Sequence, residues 1–250
     1  MADIIDRGSR GTNLLGTAIF IGLRAVDPYF QRHLLLNPPL PGWARHLGLP
    51  VPRPALTGGL PVAGTGMTPF QSVIWAMSVG AAAKHTFWAA AVANEPMAPS
   101  AALIVGLFNA ACNTINTLAF DLSAENPAYF PPWSVYVGAS MYVVGIACET
   151  VCEVQRKRFK RDPKNEGKVY SGGLFGVVRH APYAAYTLWR TGYAVAAGGP
   201  VWGALAAAWF LYQFANRSVP LLDKYMIERY GEQWAQIKKM VPYALIPGVW

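Results

Sequence analysis

The sequence predicts an all-α, polytopic membrane protein: a helical bundle of about five or six transmembrane helices, then a C-terminal cytosolic helix and an extended tail. Three observations carry this expectation. Of the 250 residues, 53% are hydrophobic and only 14% are charged, where an ordinary soluble domain has about 25% charge. Apolar runs close to the ~20 residues needed to cross a bilayer recur along the chain. The net charge is +8, yet Lys and Arg alternate with long uncharged stretches instead of covering one polar face, which excludes a nucleic-acid binder. The same figures exclude a disordered chain, a collagen-like chain and a disulfide-stapled secreted module.

The runs lie at 11–26, 70–93, 101–120 and 134–151, followed by a close pair at 183–198 and 201–215. The first is short and holds Arg24, so it reads as a span or as a re-entrant or interfacial helix. It lacks the layout of a cleavable signal peptide. The last two are joined by Gly198-Gly199-Pro200 and form a tight helical hairpin. Tyr129, Phe130, Trp133, Trp202 and Tyr212 suit an interfacial aromatic belt. Residues 27–69, rich in Pro and Gly, read as a long irregular loop, either a lid or disordered. Two parts follow: 1–133, the N-terminal membrane helices with that loop, and 134–250, the C-terminal membrane domain.

The segment 155–168 holds seven Lys/Arg against two acids, and the positive-inside rule puts it in the cytosol. The hairpin returns the chain to its starting side, so 217–250 is cytosolic too. Residues 223–231 read as a charged amphipathic helix. Trp234 and the closing VPYALIPGVW follow, an apolar strap expected to dock on the bundle.

Chemistry is expected in the last hundred residues. Arg179 and His180 precede Pro182, a residue favoured in a helix's first turn. Open N–H groups, a positive helix end and a guanidinium would then converge and could hold an anion; the alternative is snorkelling by Arg179 beside an ordinary cap. Glu149 and Glu153 sit one turn apart at the inner end of the fourth span, where buried acids face an interior or cavity, or pair with Arg156, Lys157 or Arg190. Arg190, beside Trp189 and Tyr193, either contacts a cofactor or neutralises Glu149. Tyr183 and Tyr186 could supply a phenolic proton or serve as packing. Asn109, Asn113 and Asn116 share one helix face, either a polar cavity or a hydrogen-bond seam. Lys84 and His85 interrupt the second run. Cys112, Cys148 and Cys152 form no CxxC, and the four histidines no metal cluster, so no metal is expected.

The order Glu153-x-Gln155, Phe159, 172–175, Arg179-His180-x-x-Tyr183, Asp223, Tyr230-Gly231, Trp234, Val241-Pro242-Tyr243 and Pro247 resembles the membrane steroid-reductase superfamily. That superfamily includes the steroid 5-alpha-reductases and the delta-14 and delta-7 sterol reductases. The isoprenylcysteine carboxyl methyltransferases share its C-terminal architecture. The resemblance covers about 134–250. It implies that Arg179, His180 and Tyr183 line a pocket for NADPH in a reductase or S-adenosylmethionine in a methyltransferase. It further implies that Asp223 lies on a cofactor-binding helix and that Gln155 and Phe159 belong to a covering loop. Ala181 and Pro182 stand where the reductases have Pro and Asn, Tyr186 where they have an acid, and Ile237 where they have Tyr.

The leading expectation is an endoplasmic-reticulum enzyme that uses NADPH to reduce a carbon–carbon double bond in a sterol or other lipophilic enone. Arg179, His180, Tyr183, Asp223, Gln155 and Arg190 are the candidate cofactor-binding residues, and Tyr186 or Glu149 the candidate proton donor. The expected partners are the lipid bilayer and a lipophilic small molecule. One alternative is an S-adenosylmethionine-dependent methyltransferase of a lipid-linked carboxylate. Another is a catalytically silent lipid-binding membrane protein.

Overall fold

A computed structural model describes residues 11–39, 46–47, 59–123 and 131–250. Among them every regular element is helical, as the sequence predicts: α1 Leu14–Leu36, α2 Pro69–Phe87, α3 Pro99–Ser123, α4 Trp133–Arg161, α5 Ala181–Gln213, α6 Val219–Tyr230 and α7 Glu232–Met240. α3, α4 and the run Ala181–Tyr230 are long and apolar enough to cross a membrane. α1 is not among these; Arg24, Asp27 and Gln31 lie within it and lower its mean hydropathy. The chain divides into two compact units. One takes in the described residues up to Tyr142 with Thr191–Ala206, the other Val143–Arg190 with Ala207–Trp250.

In the N-terminal unit α1 runs on to Leu36, so the expectation of a loop from 27 onward is corrected over 27–36. Asp27, Gln31 and Leu35 recur at helical spacing on a buried face, and their contacts outweigh the cost of Pro28 inside the helix. The Trp75 indole donates to the carbonyl of Pro28 (3.1 Å). Most of the remaining loop, 40–45 and 48–58, lies outside the described residues, as do Tyr129 and Phe130. α2 starts on a capping box between Thr68 and Gln71, which satisfies two end donors reciprocally. It ends in a π-turn, Trp88–Val92.

A polar lattice joins α1 to α3. Asp27 pairs with Arg24 (3.2 Å) and accepts from Gln31 Nε2 (2.8 Å) and Asn113 Nδ2 (2.6 Å). Gln31 also donates to Thr114 and accepts from Thr117. Asn109 turns to its own helix at Val105 O, while Asn116 accepts from the Trp202 indole. Asn113 and Asn116 therefore belong to a hydrogen-bond seam. Lys84 and His85 are buried, with Phe20 edge-on to His85 and Trp88.

α5 is two helical arms that fold back at Gly199, the hairpin expected from Gly198-Gly199-Pro200. Gly199 has φ 80° and ψ −177°, a conformation open to glycine and closed to most residues. The return is tight enough that a Cβ on Gly203 would lie 2.2 Å from Val195 Cγ2. In the C-terminal unit the backbone of Trp189 and Ala185 comes within 2.6 and 3.0 Å of where a Gly145 Cβ would sit, so glycine sets the approach of α4 to α5 there. The first part of the basic segment is the end of α4. From it Lys160 reaches the Lys168 carbonyl and the Tyr230 hydroxyl.

Removing one partner of a buried ion pair typically costs about 3–5 kcal/mol. Asp27→Ala, which strips Arg24 of this carboxylate, is expected to lower the melting temperature of the detergent-solubilised protein sharply. Arg24→Met combined with Asp27→Leu is expected to recover much of that loss, as thermal unfolding would register.

Candidate functional site

The site is built in the C-terminal unit where α5 begins. Arg179 and His180 precede Ala181, with Pro182 in the first helical turn. The helix start is closed by the strap the sequence predicts. Arg179 N donates to Tyr243 O and His180 N to Ala244 O, each at 3.0 Å. The Arg179 guanidinium turns the same way, its Nη1 donating to Val241 O (2.7 Å) and Pro242 O (2.6 Å). The donors expected to meet at an anion do converge, but on four consecutive carbonyls of the strap. Ala244 and Leu245 are buried against Val219, with Tyr183, Ala184 and Phe214 around them.

Two neighbours here carry buried nitrogens without a hydrogen-bond partner, Arg179 at Nε and His180 at both ring positions. His180 is 2% exposed. Its ring stacks near Tyr183 (5.9 Å, 13°) and meets the edge of Trp234 (6.1 Å). Burial first, then the neighbouring Arg179 cation, pushes the imidazole down to about 4 against a smaller opposing pull from Asp223. At neutral pH it is an uncharged ring with one donor and one acceptor to offer. Asp223 is engaged within the protein: its carboxylate accepts from Trp234 Nε1 (2.5 Å) and Lys238 (3.4 Å), fastening α6 to α7.

A second cluster lies one to two turns further along α5. Arg190 donates Nε to the Tyr186 hydroxyl (3.0 Å) and lies over the Trp189 ring (4.2 Å). The Trp189 indole donates to Glu149 on α4 (2.6 Å). Glu153 is also buried. Phe214 links the clusters, stacking on Tyr183 (4.7 Å, 9°) and standing edge-on to Tyr186 (5.7 Å). It opens a π-turn, Phe214–Ser218, a distortion common at functional sites. Gln155 touches the turn Gly173–Gly176: its Oε1 accepts weakly from Tyr170 (3.5 Å) and lies 2.4 Å from where a Gly173 Cβ would be. Tyr170 also packs on Phe159 and Phe175 and, with Tyr243, on the cluster of Cys152, Val178 and Ala181.

The structure thus brings Arg179, His180, Tyr183 and Asp223 into one neighbourhood, and Tyr186, Arg190 and Glu149 into the next. Gln155 borders the first through Tyr170. Sequence reasoning missed Phe214, because no residue pattern announces a π-turn, and it missed that backbone carbonyls would occupy Arg179. Among the described residues no group of His, Cys, Asp and Glu could hold a metal.

A histidine whose folded pKa is depressed is protonated more readily in the unfolded chain, so stability rises with pH between the two values. Stability from His180 is expected to be complete above about pH 6.5 and to fall by about 3 kcal/mol as the pH drops toward 4. Acid denaturation of the wild type compared with His180→Gln checks this, the variant showing the shallower dependence.

Residues 88–241 match the family described as "Protein of unknown function (DUF1295)". The chain is also 34% identical over 262 aligned positions to the "Probable O-methyltransferase ustE" of Ustilaginoidea virens, covering 98% of this chain and 92% of that protein. With the family match spanning well over half its length, the chain belongs to the DUF1295 family.

Proposed function

We propose that this protein is a membrane-embedded O-methyltransferase that uses S-adenosylmethionine, with its cofactor site at the start of α5. The carrying observation is the character of His180: buried, uncharged at neutral pH, with two unpartnered ring nitrogens among aromatic faces. One donor and one acceptor suit the hydroxyls and ring edge of an adenosine. The surroundings are aromatic: Tyr183 stacks with His180 and Phe214, and Tyr186 already lies under the Arg190 guanidinium. A pyrophosphate or 2′-phosphate calls for a cationic fork; Arg179 gives Nη1 to two carbonyls and keeps Nε without a hydrogen-bond partner, so its guanidinium is only partly engaged within the protein. The similarity to a probable O-methyltransferase favours S-adenosylmethionine over NADPH. The wider likeness to the steroid-reductase superfamily accommodates it, because the isoprenylcysteine carboxyl methyltransferases share that architecture.

When bound, the cofactor supplies an electrophilic methyl group. The chain's own residues do the rest. His180 and Tyr183 hold the adenosine portion, and Gln155 with the Tyr170 loop keeps water from it. Arg190, braced on Trp189, holds the Tyr186 hydroxyl in place. Glu149 is the group that would take the proton an acceptor hydroxyl loses, and the Tyr186 hydroxyl would orient that acceptor. The acceptor is lipophilic and enters from the bilayer, and the C-terminal strap faces the cytosol of an endoplasmic-reticulum-type membrane.

Calorimetry on the detergent-purified protein tests this directly. S-adenosylmethionine is expected to bind the wild type and to bind His180→Ala at least tenfold more weakly, about the contribution of one good hydrogen bond. NADPH binding in its place would return the reading to a reductase. Tyr186→Phe is expected to retain cofactor binding while slowing turnover at saturating cofactor.

A further inference from the structure

Four consecutive strap carbonyls, those of Val241, Pro242, Tyr243 and Ala244, all accept from Arg179 or His180. Their donors comprise two backbone amides and one guanidinium nitrogen. The charged donor makes the stronger bonds, and it serves the stretch at Pro242, which has no N–H of its own to offer. The strap's other side is apolar: Tyr243 packs with Phe175, Val178 and Ala181, and Leu245 with Tyr183 and Phe214. Further on, the chain folds back, with Leu245 and Ile246 both donating to the Trp250 carbonyl. The strap therefore braces His180 through the backbone and Tyr183 and Phe214 through side chains, the same groups assigned to the adenosine site.

We propose that Arg179 is a positioning residue. Its guanidinium clamps 241–245 across the start of α5, and the clamped strap holds His180, Tyr183 and Phe214 in their stacked arrangement; Arg179 itself does not touch the cofactor. The role of the strap in cofactor binding rests on the methyltransferase reading, whereas the clamp stands on the hydrogen bonds alone. Arg179→Lys keeps the charge on a side chain one atom shorter, so its nitrogen falls short of the point where Nη1 meets both carbonyls and the strap loosens without the region losing its cation. Leu245→Ala frees the same strap from its apolar seat and leaves Arg179 intact.

Hydrogen exchange of the full-length protein in detergent, followed over 241–250, is paired with S-adenosylmethionine titration and steady-state kinetics. Arg179→Lys is expected to speed exchange of this segment and to weaken cofactor binding about tenfold, the scale of one charge-assisted hydrogen bond. KM for the cofactor should rise while kcat stays close to wild type. Leu245→Ala is expected to do the same, and the double variant to be less impaired than the product of the two single effects, because both act through one strap. Weaker cofactor binding in Arg179→Lys with unchanged exchange overturns the proposal and puts Arg179 on the cofactor. Faster exchange with full cofactor affinity overturns it as well, since the strap would then be irrelevant to the site. Wild-type protein that protects 241–250 yet binds no S-adenosylmethionine overturns the methyltransferase reading, and the positioning role with it, while the clamp remains measured.

Discussion

Polar groups removed from water must find partners inside the protein, and this constraint organises both units. Away from water an unsatisfied donor or an unpaired charge costs several kcal/mol, so the buried Asp27 collects three donors and the Trp189 indole finds Glu149. The start of α5 obeys the same rule at the membrane edge. A helix begins with four N–H groups lacking intrahelical acceptors, and here the residues leading into it are met by carbonyls from a segment more than sixty positions away. Pro182 in the first turn removes a donor that would otherwise need a partner.

Against that background the two open nitrogens of His180 carry meaning. A buried imidazole without hydrogen bonds forgoes stability, and a protein that meets Nη1 of the adjacent arginine with two carbonyls had the means to satisfy this ring too. Burial and the neighbouring Arg179 cation raise the cost of charging it. The result is an uncharged polar point in an aromatic wall, suited to a ligand's hydroxyls and amines and ill suited to a phosphate. Tyr186, Arg190, Trp189 and Glu149 form the adjoining chain of hydrogen bonds and ring contacts.

The asparagines illustrate how a polar helix face is used. Asn109, Asn113 and Asn116 are spaced to share a face; Asn113 and Asn116 cross-link to other segments, and Asn109 donates to the Val105 carbonyl of its own helix. Spacing established that they would point the same way; the side chains opposite decided whether each became a bridge. Asp223 behaves similarly: its place on a C-terminal helix was legible from the motif order, but Trp234 and Lys238 claim its carboxylate.

Local chemistry alone determined the helical class, the apolar runs, the reversal at Gly199-Pro200 and the docking of the tail. Hydropathy, helix propensity and the special backbone freedom of glycine act over a few residues and can be read in order along the chain. The resemblance to the steroid-reductase superfamily, not local chemistry, grouped Arg179, His180, Tyr183 and Asp223, and Arg190 was expected either at the cofactor or beside Glu149. The local reading ended α1 too early, because whether a helix continues through Pro28 depends on what its buried face meets. It offered Arg179 either an anion or snorkelling and did not find the strap carbonyls at Nη1, because a backbone carbonyl leaves no trace in sequence of where it will point. Which donors are consumed within the protein and which remain for a ligand was decided only by the tertiary structure, since a hydrogen bond is a relation between two distant segments and belongs to neither of them alone.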